Sequence, residues 1–313
     1  MDQLSAHLDR GWDLISKGDL GGALLSAKEL LDLDTNLPEA HNMLGFIRAA
    51  QGDAEDALEH YRQAIDLDDS YIEAKLNAAE VLIHPLHDFD EALDLVDDVL
   101  DVAQESDEVA DAVLLRVEAF IHQGQADEAK RAVALLPNGP FQNPKLYFLV
   151  GRAKFETGYL EQAKRLLEQA LAEQPECPDS LYYLGLFHKK QDQADEALVY
   201  FLKSRELEQG SEKPPWSIPA ELFEQRVRRA LLNTDEETKP FVKNKLIVVS
   251  ELPGPESVAT GMDPRISLHI DEHAVYVYQR NLERNFQELS LLEDEVLSLL
   301  HEAVNNLSPT SQE

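Results

Sequence analysis

The residues best spaced for chemistry lie near the end of the chain, in Leu299-Leu300-His301-Glu302-Ala303-Val304-Asn305. A helix reading H-E-x-x-H sets two imidazoles on one face, where they hold a zinc ion. The glutamate beside the first acts as general base on the metal-bound water. Here Asn305 stands at the second imidazole position. Catalytic zinc takes three protein ligands and leaves one position for water, and a carboxamide is a weak donor beside imidazole. His301, Glu302 and Asn305 therefore read as a vestigial site with no catalysis expected and no cofactor required. His269 and His273 flank a turn near Asp271, and with His301 they would make a displaced three-histidine zinc site. Exposed strand-end histidines are the commoner explanation. Elsewhere no nucleophile motif built on Ser, Cys or Lys appears, and no glycine-rich phosphate loop.

The elements around this motif follow from the residue pattern. Residues 219–232 read as a helix with Leu222, Phe223, Val227, Ala230 and Leu231 on one face. Lys245 to Leu252, KLIVVSEL, is a β-branched run that predicts a buried strand, ended by Pro253-Gly254-Pro255. Ile266–Ile270 and Ala274–Tyr278 are further strands, paired through the turn near Asp271. Ser290 and Glu293 form an S-x-x-E capping box opening a helix whose Leu292, Val296, Leu299, Leu300 and Val304 share a face.

That order, with Gly261-Met262-Asp263-Pro264 and AVYVYQRNLER between the strands and the last helix, resembles the minimal zincin-like metallopeptidase family of bacteria. Its members carry a strand ending in Tyr-x-x-Asn-Leu-Glu, here Tyr278-Gln279-Arg280-Asn281-Leu282-Glu283, shortly before an H-E-x-x-H-x-x-G helix. The resemblance covers about residues 218–307 and implies a small α+β domain with His301 as first ligand and Glu302 as base. It also implies that the site is broken. Asn305 replaces the second ligand, Ser308 stands at the family's glycine, and Ser311 falls where a further acidic ligand belongs.

The remaining two thirds of the chain repeats. Gly11 to Gly45, Gly18 to Gly52, Gly124 to Gly158, Gly151 to Gly185, Ala23 to Ala57, Ala129 to Ala163 and Ala163 to Ala197 are each 34 residues apart. Phased small residues at such a period mark a solenoid. They resemble the tetratricopeptide repeat, in which small residues let two helices cross closely. Six units tile residues 4–208. Repeat three is irregular: Ala57 to Ala92 is 35 residues, Ala92 to Ala129 is 37, and Pro85 should end its first helix near Ile83. The fold class expected is mainly α, a tetratricopeptide α-α superhelix at 1–208. A linker at 209–217, with Trp216 pinning it, and the zincin-like α+β domain at 218–313 follow.

By resemblance to the repeat family, positions 2, 5, 9 and 12 of each first helix line a groove that receives an extended peptide or a helix. They include Glu39, Asn42, Phe46, Glu73, Leu76, Glu80, Asp111 and Glu118, then Lys145, Phe148, Arg152, Phe155, Tyr182 and Lys189. The groove would be acidic in the middle and basic-aromatic toward the second domain. Some of these side chains would instead pack against a neighbouring repeat or the C-terminal domain. The clamp that some members use for C-terminal carboxylates is not evident, because Leu8 and Trp12 stand where it has Lys and Asn.

Composition narrows the function classes. The 313 residues carry a net charge of −32, and twelve acids but no base fall between Lys75 and Arg116. Such a surface serves solubility or a basic partner and argues against nucleic acid, whose phosphates need clustered Lys and Arg. A single cysteine, Cys177, fits a reducing compartment. With no leader-like start and no run of membrane-spanning length, a cytoplasmic protein of bacterial-type architecture is expected. Three roles are consistent with these features: an adaptor for a protein partner with an inactive peptidase-like domain, a metallopeptidase with unusual ligands whose repeats select substrate, or a solenoid merely capped by its C-terminal domain.

Overall fold

The structure is a computed structural model that describes residues 3–236, 238–285 and 289–307. The chain divides into two compact units, Met1–Glu173 and Gln174–Glu313. Sequence places the domain boundary at 209–217. The contacts instead group repeat six with everything that follows it.

The first unit is ten helices in five pairs among the described residues: α1 (Gln3–Ser16), α2 (Leu20–Leu33), α3 (Pro38–Gln51), α4 (Ala54–Leu67), α5 (Ile72–Val81), α6 (Phe89–Val102), α7 (Ser106–His122), α8 (Ala126–Val133), α9 (Lys145–Glu156) and α10 (Leu160–Glu173). Local chemistry sets the ends of α3. Pro38 opens it, and Gly52, at φ 85°, closes it in the left-handed region that a side chain would strain. Close approach sets the pairing. A Cβ on Gly45 would stand 2.5 Å from the Tyr61 ring of α4, so only glycine lets α3 and α4 meet there. Ala57, Ala64, Ala78, Ala79 and Ala92, all fully buried, carry the same tight packing through repeats two and three.

Repeat three absorbs the extra residue between Ala57 and Ala92 locally. The α-helix α5 stops at Val81, two residues earlier than proline placement suggests, and one π-helical turn, Leu82–Leu86, carries Pro85. His87 then adopts φ 56° and the amide of Asp88 closes the turn on the Leu82 carbonyl at 2.9 Å.

The second unit opens with the sixth helix pair, α11 (Pro178–Lys190) and α12 (Ala194–Gly210). Gly185 meets Phe201 as Gly45 meets Tyr61, with an added Cβ again 2.5 Å from the ring. After them come α13 (Ala220–Leu232), α14 (Lys239–Val242), β1 (Leu246–Ser250), α15 (Pro255–Ala259), β2 (Leu268–Ile270), β3 (Ala274–Tyr278), α16 (Gln279–Asn285) and α17 (Leu292–Leu307). The strand order is β1-β3-β2. β1 lies parallel to β3, Leu246 opposite Ala274. β2 is antiparallel to β3, His269 opposite Tyr276. Phe223 and Val227 of α13, Val275 and Val277 of β3 and Leu292, Val296 and Leu300 of α17 form the core, each fully buried.

Two expectations are corrected here. KLIVVSEL is not a buried strand: β1 is an edge whose Ile247 and Val249 pack against the core while Leu246, 70% exposed, and Val248 lie on the open face. The S-x-x-E box does not open α17 at Ser290. Leu289–Leu291 form a 3-10 turn, and Glu293 is drawn to Arg226 of α13 in a two-armed ion pair whose Nε arm is 2.8 Å. Arg226, with Arg229 3.8 Å away, outcompetes a capping amide for that carboxylate.

Repeat six is fastened to the α+β segment by a small core and a buried charge cluster. Val258 of α15 packs on Ala197 and Phe201, the flank of α12 that a further repeat would otherwise cover. Glu208, 4% exposed, accepts from Arg265 at 2.7 Å and Arg284 at 2.6 Å, and its carbonyl accepts from Arg280 at 2.7 Å. The Trp216 indole donates to the Glu283 carbonyl at 3.0 Å and pins the linker. R265A takes one of two guanidinium partners from the buried Glu208 carboxylate and leaves Arg284. It should therefore destabilise the protein by about 1.5–3 kcal/mol in urea unfolding, and E208Q added to R265A should recover part of the loss.

Candidate partner groove and the vestigial metal motif

The first helices α5, α7 and α9 of three successive repeats line one cavity of about 360 Å³ in the first unit. Its walls are Glu73, Leu76, Asn77 and Glu80 from α5, Asp111, Leu114, Leu115 and Glu118 from α7, and Leu149 and Arg152 from α9. Six of these ten positions follow from counting along the repeat. Asn77, Leu114, Leu115 and Leu149 do not, although Leu114 is the position-5 equivalent of Leu76 once the inserted residues are counted. The result is an apolar floor between carboxylates.

The carboxylates differ in their company. Glu118 faces His84 at 3.1 Å. Among the described residues Glu73, Glu80 and Asp111 have no ion-pair partner, because the nearby bases are committed elsewhere: Lys75 to Asp98 at 3.1 Å and Arg116 to Asp97. Burial, reinforced by Asp107 and Glu80, pushes the Asp111 carboxyl up to about 6. Arg152 closes the far end over the Phe148 ring, 5.9 Å from its centroid, and lies 4.0 Å from Glu156.

Other expected groove positions divide into open and closed. Phe46 is exposed and meets Trp12 edge-on at 5.6 Å, and Lys145 is exposed. Asn42 is fully buried, accepting from Asn77 at 3.0 Å and donating to the Tyr71 hydroxyl at 3.2 Å, so it braces two repeats and faces no groove. Phe155 is core, 5% exposed. In the second unit Tyr182 is covered: Arg265 lies 4.1 Å above its ring and its hydroxyl reaches Asp263 at 3.1 Å. Burial and then the Asp263 charge push that phenol upward. Lys189, exposed, borders a cavity of about 280 Å³ with Leu198, Phe201 and Val258.

The metal motif sits on α17. His301 Nδ1 faces the Leu297 carbonyl at 2.8 Å and Nε2 faces Asp235 at 2.5 Å, so acceptors occupy both ring nitrogens. The Thr238 amide, and then His301, hold the Asp235 carboxyl well below the usual carboxylate range. Asn305 is exposed. His269 stands on β2 beside Tyr276 and His273 lies exposed in the hairpin turn. Among the described residues no three His, Cys, Asp or Glu side chains form a group able to hold a metal, so the three-histidine site is not assembled. The fit for zinc fails on the donor set. Glu302 and His269 do border a common cavity of about 350 Å³, with Leu268, Leu299 and Asn306. Ser308 and Ser311 lie outside the described residues.

Family models for the tetratricopeptide repeat match residues 8–72 and 149–211, and 48–113, together more than half of the sequence. The chain is a tetratricopeptide repeat protein. Such repeat proteins generally mediate protein–protein interactions. Solved structures agree on the fold. PilF of Pseudomonas aeruginosa is 16% identical over 66% of this chain and 93% of its own, with a TM-score of 0.52. PilW, a type IV pilus biogenesis factor, is 20% identical over 68% and 97%, with a TM-score of 0.51. The APC/C hetero-tetramer Cut9-Hcn1 is 12% identical over 66% and 41%, also at 0.51. No curated protein matches the chain. Among the described residues no helix is long and apolar enough to cross a membrane.

The Asp111 carboxyl tests the groove's electrostatics in this repeat protein. Between its ordinary value of 3.8 and about 6 the folded protein binds a proton that the unfolded chain releases. Stability from this group is therefore lost as pH rises through 6. D111N should melt about 2–4 °C above wild type at pH 8, with the gap closing near pH 4. A gap that does not change with pH would contradict the assignment.

Proposed function

We propose that this tetratricopeptide repeat protein is a non-hydrolytic adaptor that binds a peptide or helix of a protein partner in the groove formed by α5, α7 and α9. The observation that carries the reading is the cavity shared by the first helices of three successive repeats. A shared cavity of that kind offers an elongated ligand several side-chain contacts at once. The C-terminal segment, in this reading, keeps a zincin-like fold without its metal chemistry. It closes the end of the array through α15 and the Glu208 cluster, covering Tyr182, which a longer groove would have used.

The test is selection of peptides from a random display library on the full-length chain. Selected peptides should bind wild type and lose most of their affinity for the double variant E80K/E118K, with the helical circular dichroism of that variant unchanged. Equal binding to both proteins would remove the groove from the account.

A second reading, a zinc-dependent peptidase with non-standard ligands, is favoured by one observation: Glu302 and His269 border the same cavity. It requires hydrolysis of a peptide library that chelator abolishes and that E302Q lacks. The adaptor reading expects intact peptides in every arm.

A further inference from the structure

The charges around Asp111 specify the groove's occupant more narrowly, an inference that rests on the reading that the groove binds a partner. Asp111 of α7 is a partly buried carboxylate among others of its kind. Burial, then the charges of Asp107 on the same helix and Glu80 on α5, push its carboxyl up to about 6. Asp107 is answered locally, since its carboxylate accepts from the backbone amides of Gln142 at 3.0 Å and Asn143 at 2.7 Å. Glu80 and Asp111 have no ion-pair partner among the described residues, and Arg116, five residues on in α7, is engaged by Asp97 of α6. Leu76, Leu114, Leu115 and Leu149 border the same cavity, each only partly buried. The chain therefore leaves two things open side by side: a pair of carboxylates that repel each other, and aliphatic surface in contact with water.

We infer that the groove takes a peptide segment in which a Lys or Arg stands beside aliphatic or aromatic residues, the cation lodging at Glu80 and Asp111 and its apolar neighbours on the leucines. The cation relieves the repulsion between the two carboxylates, and an acidic segment adds to it. A wholly apolar segment covers the leucines but shuts two charges away from water without a partner. A merely cationic one finds no use for the leucines. The same geometry couples binding to a proton. A cation at Asp111 favours its ionised form, so binding expels the proton that Asp111 holds below about pH 6, and affinity weakens as pH falls through that value. The other charged groups bordering the cavity are Glu73 on α5, Glu118, which faces His84 at 3.1 Å, and Arg152 on α9.

The probes are two display libraries of random peptides of about ten residues, both without histidine, one containing Lys and Arg and the other lacking them. Each is selected on the full-length chain at pH 7.5 and about 0.15 M salt. The first should yield peptides with a Lys or Arg flanked by apolar residues. Their affinity should fall at least tenfold in E80Q/D111N and remain within twofold in the charge-matched control D66N/D69N, whose carboxylates are exposed on and beside α4. Between pH 7.5 and pH 5 it should fall at least threefold in wild type and by a clearly smaller factor in D111N. The inference is overturned if the library lacking Lys and Arg yields equally tight binders of the groove, if D66N/D69N loses as much as E80Q/D111N, or if D111N keeps the full pH dependence. Neutral or acidic selected peptides that still lose binding in E80K/E118K would sink this inference and leave the adaptor reading standing. Peptides indifferent to every groove substitution, or no binder from either library, would sink the two together.

Discussion

The closeness of the two helices within each repeat is the constraint on which the rest depends. At Gly45 against Tyr61 and at Gly185 against Phe201 there is no room for a methyl group. The large ring of the second helix fills the space that a side chain on the first would occupy, and it fixes the rotation of the first helix about its axis. Positions 2 and 9 then turn away from that contact. Their chemistry is free to vary with function, because the packing that sets their direction lies on the opposite side. Repeat three shows how firmly this is held. The one additional residue between Ala57 and Ala92 is taken up in a single π-helical turn around Pro85, and Glu80 and Glu118 still border one cavity.

Charge is distributed by the same logic in both units. Where the chain needs a permanent join, it buries the carboxylate and supplies cations, as Glu208 with Arg265 and Arg284. In the groove Glu73, Glu80 and Asp111 stay at a partly open surface with no ion-pair partner among the described residues, and Asp111 carries the cost as a raised pKa. A self-sufficient cluster suits architecture, and an uncompensated one suits recognition of something that arrives from outside.

The repeats were legible because a steric requirement recurs at fixed spacing and glycine and alanine are the residues that meet it. The helices α13 and α17 and the strand β3 were legible from periodicity for the same reason. Other features were not, because they depend on who the neighbours are. A β-branched run cannot say whether one strand or two will flank it, so β1 reads as buried and lies at an edge. Asn42 occupies a groove position by counting, yet Asn77 and Tyr71 offer it partners that solvent-facing neighbours lack. Tyr182 has the right phase, but the segment carrying Asp263 and Arg265 lies on it. His301 shows the limit of motif reading: its sequence context suggests a ligand, and the decisive fact is an aspartate 66 residues away that occupies its Nε2.

The central claim is that recognition occurs on α5, α7 and α9 and not in the cavity beside α17. Amide hydrogen exchange of the full chain, with and without a saturating display-selected peptide, reports on both at once. The account predicts slowed exchange in residues 72–81, 106–122 and 145–156 with no change in 266–270 or 297–307. Protection confined to the latter two segments would contradict it.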